Sequence, residues 1–285
     1  MSEPTAFPLG ETLGGGAYRV TEHLVGRGDS QLHRAVSTSR PGERYLASVA
    51  LAPRLAPEPL RQRLDYHFPG VLDLAWLGHF DVAGQDPSRN LRQRSYAALV
   101  ERLPAEGESL RTVVSGALGA AAAVDLGLAV GRILAAPAKD GHRLVAVRPE
   151  LVFGVRRGDA ISVTGLSGRS GPFFAQGQTA FPGSPPPFER SYHAPEILAG
   201  RESQEESLVF TLAVMIAEWA TGDYPFPDAR VGGNLDSLIR GRHAALEVPI
   251  RLASVLVHGL QPDPADRPAL GRFLERLALL DPTEL

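Results

Sequence analysis

The chain has 285 residues, 44% of them hydrophobic and 21% charged, with a net charge of −3 and no cysteine. That length carries one large domain or two small lobes, and the composition is that of an ordinary globular protein. The slight negative balance argues against nucleic-acid and membrane-surface binding, which draw on a basic excess, and the missing cysteines remove disulfides, zinc-thiolate sites and thiol nucleophiles together.

In chain order, residues 1–16 read as a flexible tail ending in Gly14, Gly15 and Gly16. Neither a basic start nor an apolar run marks this tail as a signal peptide, which gives the expectation of a cytoplasmic protein or a cytoplasmic domain of a longer one. β-like runs follow at 18–25, 31–37 and 45–51, separated by turn residues. The segment APRLAPEPLRQRLD has room for a short helix of about two or three turns. Two more β-like runs, 72–81 and 95–102, complete a strand-rich first third.

After the polar crossing at 103–109 the periodicity changes. Residues 120–136 predict a helix stopped by Pro137. Ser203 and Glu206 have capping-box spacing and open SLVFTLAVMIAEWA, which is apolar on nearly every face and so predicts a buried axis, ended by Gly222 and Pro225. The longest apolar run, 208–217, is shorter than the roughly 20 residues that cross a bilayer, so no membrane insertion is expected. Leu270, Phe273, Leu274, Leu277 and Leu280 form the stripe of a last helix, with Asp266 as its cap. Strands first and helices after predict an α+β protein of two lobes: a tail at 1–16, a β-rich lobe with one short helix at 17–103, and a mainly helical lobe at 104–285.

The order of short motifs resembles that of the eukaryotic-type Ser/Thr protein kinase family over residues 18–280. ALVERLPAEGESL is similar to the strand, hinge and helix start that join the two kinase lobes, and SYHAPEIL to the A-P-E end of the activation segment. The run 207–226, ending WATGDYPF, resembles the central helix with its T-G-x-x-P-F turn, and GLQPDPADRP the late D-P-x-x-R-P motif. The resemblance implies a protein-kinase-like fold with a small β-rich N-lobe and a larger helical C-lobe.

The family's chemistry needs a Gly-rich loop over the phosphates, a strand lysine, a general base and two magnesium-holding side chains. VGRGDSQLHRA matches the loop only at Gly26 and Gly28, with Asp29 bringing a negative charge toward the phosphates; a β-turn is the simpler reading. In RYLASVAL, Ser48 stands in the lysine position and Leu46 where a small alanine lies under the adenine. The only lysine of the chain is Lys139, expected in a polar loop, so any chemistry that needs lysine has one candidate. LVAVRPEL lies over H-R-D-L-K-P-E-N: Arg148, Pro149 and Glu150 keep the K-P-E character, Ala146 replaces the base aspartate and Leu151 the magnesium asparagine. His142 and Arg143 look like a shifted H-R with no aspartate after them. Phe153, with Leu46, is expected to fill the adenine slot. Thr164 is nearest the D-F-G aspartate, and no acid occurs from Ala160 to Phe188, so this segment offers magnesium no carboxylate; Asp159 sits at the wrong end of its strand.

Glu196 and Arg267, by contrast, are both present, and in the family these two form a buried ion pair. The aspartate that begins the family's central helix is replaced by Leu208. The resemblance with these losses implies a catalytically inactive, bacterial-type pseudokinase without cofactor or metal. Its signalling work would be protein binding, as a scaffold or as an allosteric regulator of an active kinase or other enzyme. Two alternatives stay open: a nucleotide or small-molecule sensor without turnover, and an atypical transferase on the same fold.

Other signals are weaker. GLSGRSG is not G-x-S-x-G in any frame, and the eight histidines show no metal-binding spacing. FPGSPPPFER reads as an exposed polyproline-like loop that could dock a partner. Thr179, Ser184 and Ser191 are candidate phosphate acceptors, with Arg169 or Arg190 to pair with the phosphate.

Overall fold

The computed structural model describes residues 9–27, 30–51, 68–82, 94–139, 147–167, 190–201, 203–229 and 233–285. The expected helix at 52–65, Gly28, Asp29, His142, Arg143, Ala146, Arg169, Thr179, Ser184 and the polyproline-like stretch up to 189 lie outside the described residues. The architecture is α+β and divides into two compact units. The first holds the described residues of 9–51, 72–82 and 94–105; the second holds 68–71 and those from 106 onward.

The first unit is an antiparallel sheet of six strands: β1 (Thr12–Leu13), β2 (Tyr18–Arg27), β3 (Ser30–Ser37), β4 (Arg44–Leu51), β5 (Leu74–Val82) and β6 (Arg94–Arg102), in the order β1-β2-β3-β4-β6-β5. Alternation along β4 sends Tyr45, Ala47 and Val49 to one face, where they meet Ala35, Ala98, Val100, Val20 and Leu13 in a core cluster. Leu46 and Ser48 occupy the other face and are buried as well, which is why β4 reads as an almost unbroken apolar run. The expected tail is corrected here. Thr12 and Leu13 pair with Arg19 and Tyr18, and Leu13 is 1% exposed. Gly14, Gly15 and Gly16 turn the chain at φ of 60°, 63° and 95°, where other residues are strained. Burial of one leucine thus recruits the end of the tail into the sheet.

In the second unit, β7 (Glu108–Ser109), β8 (Val152–Arg157) and β9 (Ala160–Leu166) form an antiparallel sheet in sequence order. The helices are α1 (Leu110–Val113), α2 (Ala120–Lys139), α3 (Pro195–Leu198), α4 (Glu205–Thr221), α5 (Asp236–Ile239), α6 (Ile250–Gly259) and α7 (Leu270–Ala278). Every residue of α4 from Ser207 to Ala220 is buried, so it is the axis of the unit. Its start lies one residue later than its spacing predicts. Gln204 is the N-cap, and its N–H donates to Ser207 Oγ at 3.0 Å. Glu205 is thereby freed to cap another helix: its Oε1 accepts the Leu270 N–H at 2.8 Å, so α7 is capped from α4 and not by Asp266.

α2 runs past Pro137 to Lys139. A proline in the last turn forfeits one backbone bond and leaves the turns before it intact. This helix, and not 208–217, has the length and composition to cross a membrane, with 20 residues and a mean hydropathy of 1.5; half of that window is buried in the unit. Gly127 and Gly131 explain how closely it packs. A Cβ on Gly127 would lie 2.4 Å from Ile216 Cδ1, and one on Gly131 would lie 2.3 Å from Leu274 Cδ2 and 3.1 Å from Leu212 Cδ2. A helical glycine costs about 1 kcal/mol against alanine, so the contact must return at least that much. Gly131→Val, wedged between α4 and α7, is expected to lower stability by about 1–3 kcal/mol in urea unfolding. Unchanged stability would contradict the close crossing.

Candidate functional site

The loop at 147–151 is the part of the second unit that the sequence marks for chemistry. Val147 and Arg148 are buried, and Pro149–Leu151 form one 3-10 turn closed by the Leu151 N–H on the Arg148 carbonyl at 2.9 Å. The Leu151 carbonyl in turn accepts the Ser167 N–H at 2.8 Å, tying the loop to the end of β9.

Glu150 leaves this turn toward Arg111 on α1, whose Nε donates to Glu150 Oε1 at 3.1 Å and whose second nitrogen donates to Glu218 Oε1 at 2.9 Å. The remaining arm of the guanidinium donates to the Tyr192 hydroxyl, which itself donates to Glu218 Oε2 at 2.5 Å. One arginine therefore joins α1, the 147–151 loop, the turn at Arg190–Tyr192 and the C-terminal end of α4.

The charges follow from the contacts. Burial works against the Arg111 cation, but Tyr192, Glu150 and Glu218 outweigh it and hold the guanidinium above its ordinary pKa. Burial also works against the Glu150 anion, and Arg148 and Arg111 together pull its pKa below the usual carboxylate value. Tyr192 is pushed well up by burial and by Glu218, so it remains a neutral donor. A recess of about 60 Å³, lined by Arg111, Pro149, Glu218 and Trp219 among others, adjoins the cluster. Both carboxylates accept from Arg111, which leaves them poor candidates for a proton-abstracting base.

Glu196 and Arg267 meet in a bidentate pair, 2.8 Å and 2.9 Å, with residue exposures of 1% and 5%. Arg267 also donates to the carbonyls of Gln261 at 2.6 Å, Glu206 at 3.1 Å and Pro262 at 2.9 Å, and its guanidinium lies 4.9 Å from the centre of the Phe210 ring. Ser207 Oγ donates to Glu196 Oε1 at 2.5 Å. Burial raises the Glu196 pKa, but the hydrogen bonds from Arg267 and Ser207 pull it below its ordinary value. The pair locks α3 and the approach to α7 onto α4.

The other sequence-marked residues fall as follows. Ser48 is 4% exposed on β4, with Leu32 and Leu99 on the strands at either side, and its hydroxyl has no hydrogen-bond partner among the described residues. Leu46 is buried in the first unit; Phe153 is buried in the second, on β8. Leu151 and Leu208 are buried in the second unit as well. Thr164 is exposed on β9, beside Gly107, and Asp159 is exposed in the turn between β8 and β9. Lys139 is exposed at the end of α2, not in a loop. Ser191 does not suit phosphorylation, since it is buried and donates to the Ala229 carbonyl at 2.8 Å. Among the described residues, no three His, Asp or Glu side chains gather as a metal site.

The Arg111–Tyr192–Glu218 cluster is the feature that reading the sequence missed. Its one signal was Glu218, the only charged residue in SLVFTLAVMIAEWA. An acid on a helix buried all round needs a cationic partner, though the sequence does not say which. No protein-family model matches the chain, and no curated protein matches it.

Proposed function

We propose that the chain is a degenerate protein kinase homologue, a pseudokinase, that binds a protein partner in the cytoplasm as a scaffold or allosteric regulator and transfers no phosphate. Ser48 carries the reading. Where the resemblance requires an ammonium to grip phosphate, β4 offers a buried, uncharged hydroxyl with Leu32 and Leu99 as its cross-strand neighbours. The sequence holds a single lysine, Lys139, which lies on α2 of the second unit and not on β4. Leu151 and Leu208 lie in the places the resemblance gives to a magnesium ligand and to the aspartate that holds the loop, and both are buried apolar residues.

The magnitudes favour inactivity. A positioned general base is worth on the order of 10²–10⁴ in rate, and preorganised charge at the transferring group more. Losing the lysine, the base and both metal ligands removes every large contribution together. The Arg111 cluster and the Glu196–Arg267 pair, which hold the 147–151 loop and α3 in place, support the reading of a retained framework. A maintained framework without its chemistry fits a protein that presents surfaces to a partner, and fold alone does not dictate catalysis.

A transfer assay tests this. With ATP labelled on its γ-phosphate, magnesium or manganese, and a general protein acceptor, the full chain is expected to leave both itself and the acceptor unlabelled. Label on either that disappears in Asp29→Ala or in Asp159→Ala would replace the scaffold with a transferase.

A further inference from the structure

We draw no further inference here: the strongest candidate, the side-chain cluster of Arg111 with Glu150, Glu218 and Tyr192 beside the recess at Trp219, belongs to the site already described and is filled by the chain's own groups, so nothing in the structure shows a ligand for it.

Discussion

Glu196→Gln is expected to destabilise the second unit by about 3–5 kcal/mol, the cost of leaving one partner of a buried ion pair uncompensated. The amide keeps the size of the carboxylate but removes the charge, while Arg267 stays enclosed by Gln261, Glu206 and Pro262 carbonyls and the Phe210 ring. Carbonyl dipoles satisfy its N–H groups without neutralising the cation. Arg267→Met exposes the opposite fault, a buried carboxylate left with the Ser207 hydroxyl and a backbone N–H but no cation. The double variant Glu196→Met with Arg267→Met should recover much of the loss, because an apolar pair of similar volume removes both desolvation penalties. Trp219 lies on α4 within this unit and Trp76 in the first, so urea unfolding followed by fluorescence in a Trp76→Phe background reads the second unit. A loss below about 1 kcal/mol in both single variants would mean that the pair behaves like an exposed one.

Acidification should destabilise the first unit by about 3 kcal/mol between pH 6.5 and pH 4, through His33. This imidazole is fully buried on β3, facing Ala47 on one side and the His23 ring, 5.1 Å between centroids, on the other. Burial first, and the neighbouring His23 second, lower its pKa from 6.5 to about 4, against a smaller opposing hydrogen bond with the Glu22 backbone. The folded protein therefore keeps His33 neutral in a range where the unfolded chain protonates it. Stability is complete above pH 6.5, falls as protons bind the unfolded state preferentially, and levels off for this group below about pH 4. Below about pH 4.5, Glu150 and Glu196 add a separate loss in the second unit, since both are held below that value when folded. Urea midpoints across pH, followed by hydrogen exchange at β2 and β3, measure the effect. His33→Phe should flatten the profile between pH 6.5 and 4; an unchanged slope would assign the titration elsewhere.

What the sequence made legible follows from how local each signal is. β2 to β6 and α4 were visible because alternation and continuous apolarity are properties of short windows. The start of α4 lies one residue later than the Ser203 spacing predicts, with Gln204 as the N-cap in place of Ser203. The choice between them depends on Ser207, which also reaches Glu196 eleven residues away. The cap of α7 was illegible for a stronger reason: Glu205 reaches it from 65 positions earlier in the chain. Likewise, nothing local to Thr12 and Leu13 separates a tail from an edge strand, because the difference is the burial of Leu13 among residues as distant as Val100.

The candidate site shows the same division. Glu196 and Arg267 were singled out through short motifs, and Ser48 by the register of one strand. Arg111 carries no motif, and its importance arises only where α1, the 147–151 loop, the 190–192 turn and α4 converge. A short motif makes its own residues visible, whereas a cluster assembled from four distant segments leaves no local signal.

The most direct measurement is calorimetric titration of the full chain with ATP, once with magnesium and once with EDTA. A pseudokinase without a phosphate-gripping lysine or a metal ligand predicts no saturable, magnesium-dependent heat up to about 1 mM nucleotide, a binding free energy weaker than about −4 kcal/mol. Saturable binding in the micromolar range that vanishes with EDTA would show that other side chains hold the phosphates and the metal, and would contradict the reading built on Ser48.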